Sequence, residues 1–155
     1  MKEYKMEITV CVLKTEELSP ADACLREAAV RAAKRAYAPY SHYSVGAAAL
    51  LGDGTVVEGN NQENASYPSG LCAERVALFH AGASRPAIPV VAMAVVAVRD
   101  GDVQKRVSPC GACRQVLFET ERRHGGRPVR ILMCGCDETL VVSSAGDLLP
   151  LPFGF

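Results

Sequence analysis

Charge of neither sign is in excess in this chain. Its 155 residues carry 17 lysines and arginines against 17 aspartates and glutamates, and beyond the adjacent Arg122 and Arg123 no basic cluster stands out. A nucleic-acid surface needs a basic patch or stripe, so this balance argues for a small, weakly charged partner and against a polyanion. No apolar run approaches the ~18 uninterrupted residues of a membrane span. Met1-Lys2-Glu3-Tyr4-Lys5-Met6-Glu7 mixes charges where an export signal would place its apolar stretch, so the expectation is a cytoplasmic protein without a membrane partner. Internal repeats, low-complexity tracts and linkers are absent as well. What is there is 49% hydrophobic content, enough for one sizeable core and too short a chain for two ordinary domains. The expectation is a single domain over residues 1–155, with residues 1–17 as an N-terminal extension.

The apolar periodicity orders the elements. Glu7 to Leu13 alternates loosely and fits an edge strand. Ser19-Pro20 is a helix start, and Leu25, Ala28, Ala29, Ala32 and Ala36 recur on one face until Pro39 stops the pattern. Tyr43 to Leu51, the turn Asp53-Gly54 and Thr55 to Gly59 form a hairpin. A polar loop follows from Asn60 to Gly70, then a helix from about Cys72 to His80 closed by Ala81-Gly82. Val90 to Val98 reads as a strand buried on both faces, at the centre of the sheet. After a loop from Arg99 to Asp102, a third helix starts near Gly111 and ends with Arg122, Arg123 and His124 before Gly125, where cations and glycine suit a C-terminus. Val129 to Cys134 and Thr139 to Val142 add two short strands. The fold class is α/β: a three-layer α/β/α sandwich with a mixed sheet of about five strands.

Seven cysteines, an odd number in a chain read as cytoplasmic, argue for thiols and metal ligands over a disulfide framework. Three have a recognisable setting. Cys72 stands two residues before Glu74, and Cys110 and Cys113 form a Pro-Cys-x-x-Cys segment. Three protein thiolates leave one tetrahedral position of Zn²⁺ open for water, and a neighbouring carboxylate can move that water's protons. Both halves fall at expected helix starts, where unpaired N–H groups and the macrodipole stabilise thiolates. Cys72 and Glu74 can address one metal only if the helix is just beginning there, because mid-helix residues two apart point to nearly opposite faces. The three thiolates give the site a formal charge of −1, and Arg75 is the nearest cation in sequence to offset it. Two other readings remain open on spacing alone: a thioredoxin-like redox pair at Cys110 and Cys113, and a structural zinc closed by His80, Cys134 or Cys136.

The run Cys72-Ala73-Glu74-Arg75 together with Ser108-Pro109-Cys110-Gly111-Ala112-Cys113-Arg114-Gln115 resembles the small, homotetrameric cytidine deaminases. Tyr40-Ser41-His42-Tyr43-Ser44-Val45-Gly46-Ala47-Ala48 and Asn61-Gln62-Glu63-Asn64-Ala65-Ser66-Tyr67 are similar to the family in the same order, and the resemblance covers Leu18 to Phe153. It implies one Zn²⁺ per chain on Cys72, Cys110 and Cys113, with Glu74 as the catalytic acid and base. It implies that Asn61 and Glu63 hold the sugar hydroxyls and that Tyr43, where the family commonly has Phe, lies against the pyrimidine. Ala73 joins them at the substrate, and Gln115 supports the thiolate cluster. Leu148-Leu149-Pro150-Leu151-Pro152-Phe153 resembles the tail whose Phe reaches a neighbouring subunit's site, although Leu151-Pro152 departs from the usual pair of small residues. The activity implied is deamination of cytidine and deoxycytidine to uridine and deoxyuridine with release of ammonia, by a homotetramer. The rivals are a deaminase of the same fold acting on a nucleotide, free base, tRNA or nucleoside antibiotic, and a non-catalytic zinc-stabilised interaction protein.

Overall fold

The computed structural model describes residues 1–154. Seven strands, β1 (Cys11–Lys14), β2 (Ser44–Leu51), β3 (Val56–Asn60), β4 (Val90–Arg99), β5 (Asp102–Val103), β6 (Arg130–Cys134) and β7 (Glu138–Val142), form one sheet. Three helices accompany it: α1 (Pro20–Ala33), α2 (Ala73–Ser84) and α3 (Gly111–Arg123). The strand order is β1-β7-β6-β4-β2-β3, with β5 hydrogen-bonded to β4. Only β4 and β6 run parallel; the other pairs are antiparallel. β4 lies between β2 and β6 and is buried on both faces from Ala92 to Val98, which is why its sequence is a continuous apolar run without alternation.

The sheet therefore has seven strands instead of about five. β5 was hidden in a segment that reads as loop: Asp100 and Gly101 both take positive φ, 54° and 91°, and make a two-residue turn that folds Asp102 and Val103 back on Arg99 and Val98. β1 begins four residues later than the alternation at Glu7 suggests, because the ladder with β7 opens at the pair Cys11 and Val141.

Helix ends follow local chemistry. Ser19 accepts a hydrogen bond from the Asp22 N–H, with Pro20 in the first turn, as the capping pattern demands. α1 stops at Ala33, a turn before Ala36, where the Arg35 and Ala36 N–H groups reach back three residues to Ala32 and Ala33 and tighten the chain out of the helix. α2 does not close at Ala81-Gly82 but continues to Ser84. Gly82 lies under the Arg123 guanidinium of α3, the movable end of a flexible side chain, 2.8 Å from where a Cβ on it would sit.

α1 covers one face of the sheet, with Leu25, Ala28, Ala29 and Ala33 against Ala48, Ala94, Val96 and Leu132. α2 and α3 cover the other, with Ala73, Ala77, Leu78 and Leu117 against Ala47, Met93, Val95 and Ile131. Small side chains bring the helices unusually close at two glycines. A Cβ on Gly46 would lie 2.0 Å from the Ala29 carbonyl oxygen, and one on Gly59 would lie 2.5 Å from that of Ala73. Backbone cannot yield as a flexible side chain does, so Gly46→Ala is expected to lower unfolding free energy by about 3 kcal/mol. Urea unfolding measures this, and a loss under about 1 kcal/mol would contradict the packing argument. Gly59 seats the first turn of α2, which Cys72 caps and in which Glu74 lies.

Candidate metal centre and substrate cleft

Cys72 is the N-cap of α2 and Cys110 the N-cap of α3, both in extended backbone with no side-chain capping bond, so their thiols are left free to face each other. Cys113 lies one turn into α3 and is buried. The Cys72 and Cys110 sulfurs are 3.8 Å apart, the Cys110 and Cys113 sulfurs 3.5 Å, and all three ligand atoms lie within 4.8 Å of one another. Thiolates at ~2.3 Å from a tetrahedral ion are separated by ~3.8 Å, so this donor set fits a metal with little movement. Among the described residues neither His80, Cys134 nor Cys136 joins the group. The Cys134 thiol instead donates to the Leu132 carbonyl, and the Cys136 thiol to Asp137.

The electrostatics suit thiolate ligation. Hydrogen bonds from the Cys113 thiol and from Arg75 outweigh partial burial and draw the Cys72 thiol down to about 5. The Arg75 guanidinium is 3.5 Å from the Cys72 sulfur. Cys113 is pushed the other way by its bond to Cys72 and by burial; a metal ligand must give up that proton, which couples metal binding to pH. Glu74 is only 4% exposed, and burial followed by the Cys72 charge raises its carboxyl above the ordinary 4.5. The constraint that the helix begin at this point is met, since Cys72 caps α2 and Glu74 is its second residue.

Arg114 escaped the sequence reading. Its Nε donates to the Pro109 carbonyl at 2.8 Å, one terminal nitrogen to the Leu148 carbonyl at 3.0 Å and the other to the Ser108 hydroxyl at 3.1 Å. The turn that presents Cys110 is thus held from three directions. Only its place directly after Cys113 marked it in the sequence.

A cleft of about 640 Å³ opens beside the thiols and is lined by Glu74, Arg75, Asn61, Glu63 and Tyr43 among others. Asn61, the residue after β3, extends the pairing of β3 with β2: its side-chain oxygen accepts from the Val45 N–H at 2.8 Å and its side-chain nitrogen donates to the Tyr43 carbonyl at 3.0 Å. One N–H of that amide is left over. Glu63 accepts the Tyr40 and Ser41 N–H groups at 2.9 and 3.2 Å and the Ser41 hydroxyl, which hold its carboxyl below the usual range, the hydroxyl most strongly. Tyr40 and Tyr67, which belong to the two family-like runs but carry no implied role of their own, meet edge to face at 6.2 Å on the cleft wall. Ala73 is fully buried under the floor. Gln115 and Phe153 lie outside this lining: the Gln115 amide exchanges hydrogen bonds with the Phe153 backbone at 2.9 and 3.3 Å, and Phe153 is 70% exposed.

Residues 20–124, which contain all three thiols and Glu74, match the family described as the cytidine and deoxycytidylate deaminase zinc-binding region. The chain belongs to this deaminase family. It is 45% identical over 133 residues to a cytidine deaminase of Mycobacterium tuberculosis, covering 84% of this chain and 87% of that protein. It is 54% identical over 91 residues to a cytidine deaminase of Halalkalibacterium halodurans, a stretch spanning 59% of this chain and 65% of that protein. The crystal structure of cytidine deaminase from Burkholderia pseudomallei superposes with a TM-score of 0.71 at 43% identity, covering 84% of this chain and 98% of the other. The family is a zinc-binding one, and the three thiols are the group in this chain that could hold a metal, beside the buried Glu74 carboxyl at the cleft.

Proposed function

We propose that this protein is a zinc-dependent hydrolase of free pyrimidine nucleosides. It converts cytidine and deoxycytidine to uridine and deoxyuridine with release of ammonia, as a single-domain cytoplasmic enzyme of pyrimidine salvage that assembles as a homotetramer. The observation that carries this reading is the buried Glu74 carboxyl beside three convergent thiols at the cleft.

Cys72, Cys110 and Cys113 would hold one Zn²⁺, which when bound supplies a Lewis acid that makes water acidic enough to deprotonate near neutral pH. Glu74 does the proton work. With its affinity for protons raised by burial, its carboxylate accepts a proton from water and delivers it to N3 of the cytosine ring. A second transfer protonates the amino group on C4, so the water oxygen stays on C4 and the nitrogen leaves as ammonia. Arg75, hydrogen-bonded to the Cys72 sulfur, offsets the excess negative charge of three thiolates. The spare N–H of Asn61 and the carboxylate of Glu63 address the ribose hydroxyls, Tyr43 lies against the pyrimidine, and Ala73, buried beneath the cleft, sets the first turn of α2 under the substrate. Phe153, exposed and fixed through its backbone by Gln115, reaches a neighbouring subunit's cleft. Sedimentation of a stable, fully active monomer would contradict the tetramer.

A nucleoside suits the cleft better than a nucleotide. Among the described lining residues Arg75 is the sole cation, and it is committed to Cys72, so a phosphate finds no clamp. Ammonia release and the accompanying loss of ultraviolet absorbance, measured with cytidine, deoxycytidine, cytosine and dCMP, test this. The two nucleosides are expected to exceed cytosine and dCMP in kcat/KM by ~10²-fold or more, because groups built to bind a ribose are left unpaired by the free base. Preference for dCMP would overturn the reading.

A further inference from the structure

Residues 1–19 lie outside the family match, yet they carry a regular pattern of their own. Tyr4, Met6, Ile8, Val10 and Val12 alternate with Glu3, Lys5, Glu7, Thr9 and Cys11, the period of a strand with one apolar face. All five apolar side chains are exposed, Tyr4 at 79% and Met6 at 59%. Two contacts join residues two apart, as neighbouring side chains on one face of an extended chain do: Lys5 pairs with Glu7 at 2.5 Å, and the Lys2 ammonium sits 5.0 Å from the Tyr4 ring. Among the described residues no hydrogen bond ties residues 2–9 to the rest of the chain. The segment runs directly into β1, the terminal strand of the sheet, whose partner β7 opens its pairing only at Cys11. An unpaired extension of a sheet's terminal strand is a template for pairing with another chain.

We propose that residues 2–10 pair antiparallel with the same residues of a second copy of this chain, about a two-fold axis at Met6. The charges select that partner and that register. With Met6 opposite Met6, each Lys5 faces the second copy's Glu7 and each Glu7 its Lys5, while Tyr4 faces Ile8 on the apolar side. Centring the pair on Lys5 sets Lys5 against Lys5 and Glu3 against Glu7; centring it on Glu7 sets Glu7 against Glu7. A centre at Tyr4 sets the apolar Met6 against the charged Lys2. A two-stranded ribbon alone is marginal, but each strand of this one is anchored through β1 in a packed sheet.

Oxidative cross-linking of the full, metal-loaded chain tests both the contact and its register, with the wild type run alongside to account for its own thiols. Directly opposed residues lie about 4.5–5.5 Å apart at Cα, within the about 4.4–6.8 Å that a disulfide spans. Met6→Cys is expected to bring most chains to twice the chain mass on a denaturing gel, while Glu3→Cys stays at the wild-type level. Tyr4→Cys and Ile8→Cys are expected to cross-link with each other when mixed and not separately. Adding Lys5→Glu to Met6→Cys is expected to weaken the association about tenfold, and adding Glu7→Lys as well to restore it. Met6→Cys forming no more dimer than wild type, or equal dimer at every position, would overturn the proposal, whatever other surfaces the protein uses to assemble.

Discussion

Glu74→Gln is expected to keep its metal and lose ~10²–10⁴-fold in kcat for cytidine, the range that positioned acid and base catalysis contributes. Gln has nearly the same shape and preserves hydrogen bonding, but it cannot carry a proton between water and the ring. The fall should therefore lie in kcat, with substrate binding largely kept. Stability supplies an independent readout of the same side chain. Burial raises the Glu74 carboxyl above 4.5, so in the folded state the proton is held more tightly than in the unfolded chain. Its stabilising contribution is then complete below the unfolded value and is lost as pH rises through the folded one. Metal-free Glu74→Gln should accordingly be more stable than the metal-free wild type at neutral pH, with the gain shrinking on acidification. A variant with wild-type kcat would remove Glu74 from the reaction.

Cys113→Ser should abolish metal retention and reduce turnover to background. The thiol is fully buried, with its sulfur 3.5 Å from that of Cys110 at the start of the same helix, and Cys72 closes the cluster from α2. Two thiolates cannot hold the ion at comparable affinity, so the variant loses the link between the ends of α2 and α3. A metal held at a thousand times its dissociation constant stabilises the fold by about 4 kcal/mol. The loss should appear as a fall of roughly 10 °C in the melting temperature of a chain this size. Chelator-treated wild type should melt close to the variant. Full metal occupancy in Cys113→Ser, measured by elemental analysis, would contradict the three-thiol centre.

The parts of this architecture that were legible in the sequence are those governed by local chemistry. Ser19-Pro20 announces α1, the apolar run at Val90 announces the central strand, and Gly125 with φ of 72° ends α3 where its position after Arg122, Arg123 and His124 indicates. Cys72, Cys110 and Cys113 could be brought together on paper because each half of the motif sits at a helix start, and the structure does bring them together. What stayed hidden depends on contacts distant in sequence. Gly82 resembles a helix terminator until Arg123 is seen crossing it, and the role of Arg114 depends on Leu148, 34 residues away. Gln115 illustrates the same limit: its place beside the thiol motif suggests support of the cluster, whereas its amide holds the backbone of Phe153, 38 residues on. Asn61 and Glu63 stand out as polar loop residues, but only the fold shows that Asn61 also fastens the start of β2 and Glu63 the Tyr40 to Ser41 turn, both of which shape the cleft.

Titration of metal-free protein with Zn²⁺, following bound metal and cytidine turnover together, tests the central claim most directly. Turnover should rise in proportion to bound metal and level off at one ion per chain. Full turnover in metal-free protein, or one tightly bound ion per chain with no turnover of cytidine or deoxycytidine, would contradict a catalytic centre built from Cys72, Cys110, Cys113 and Glu74.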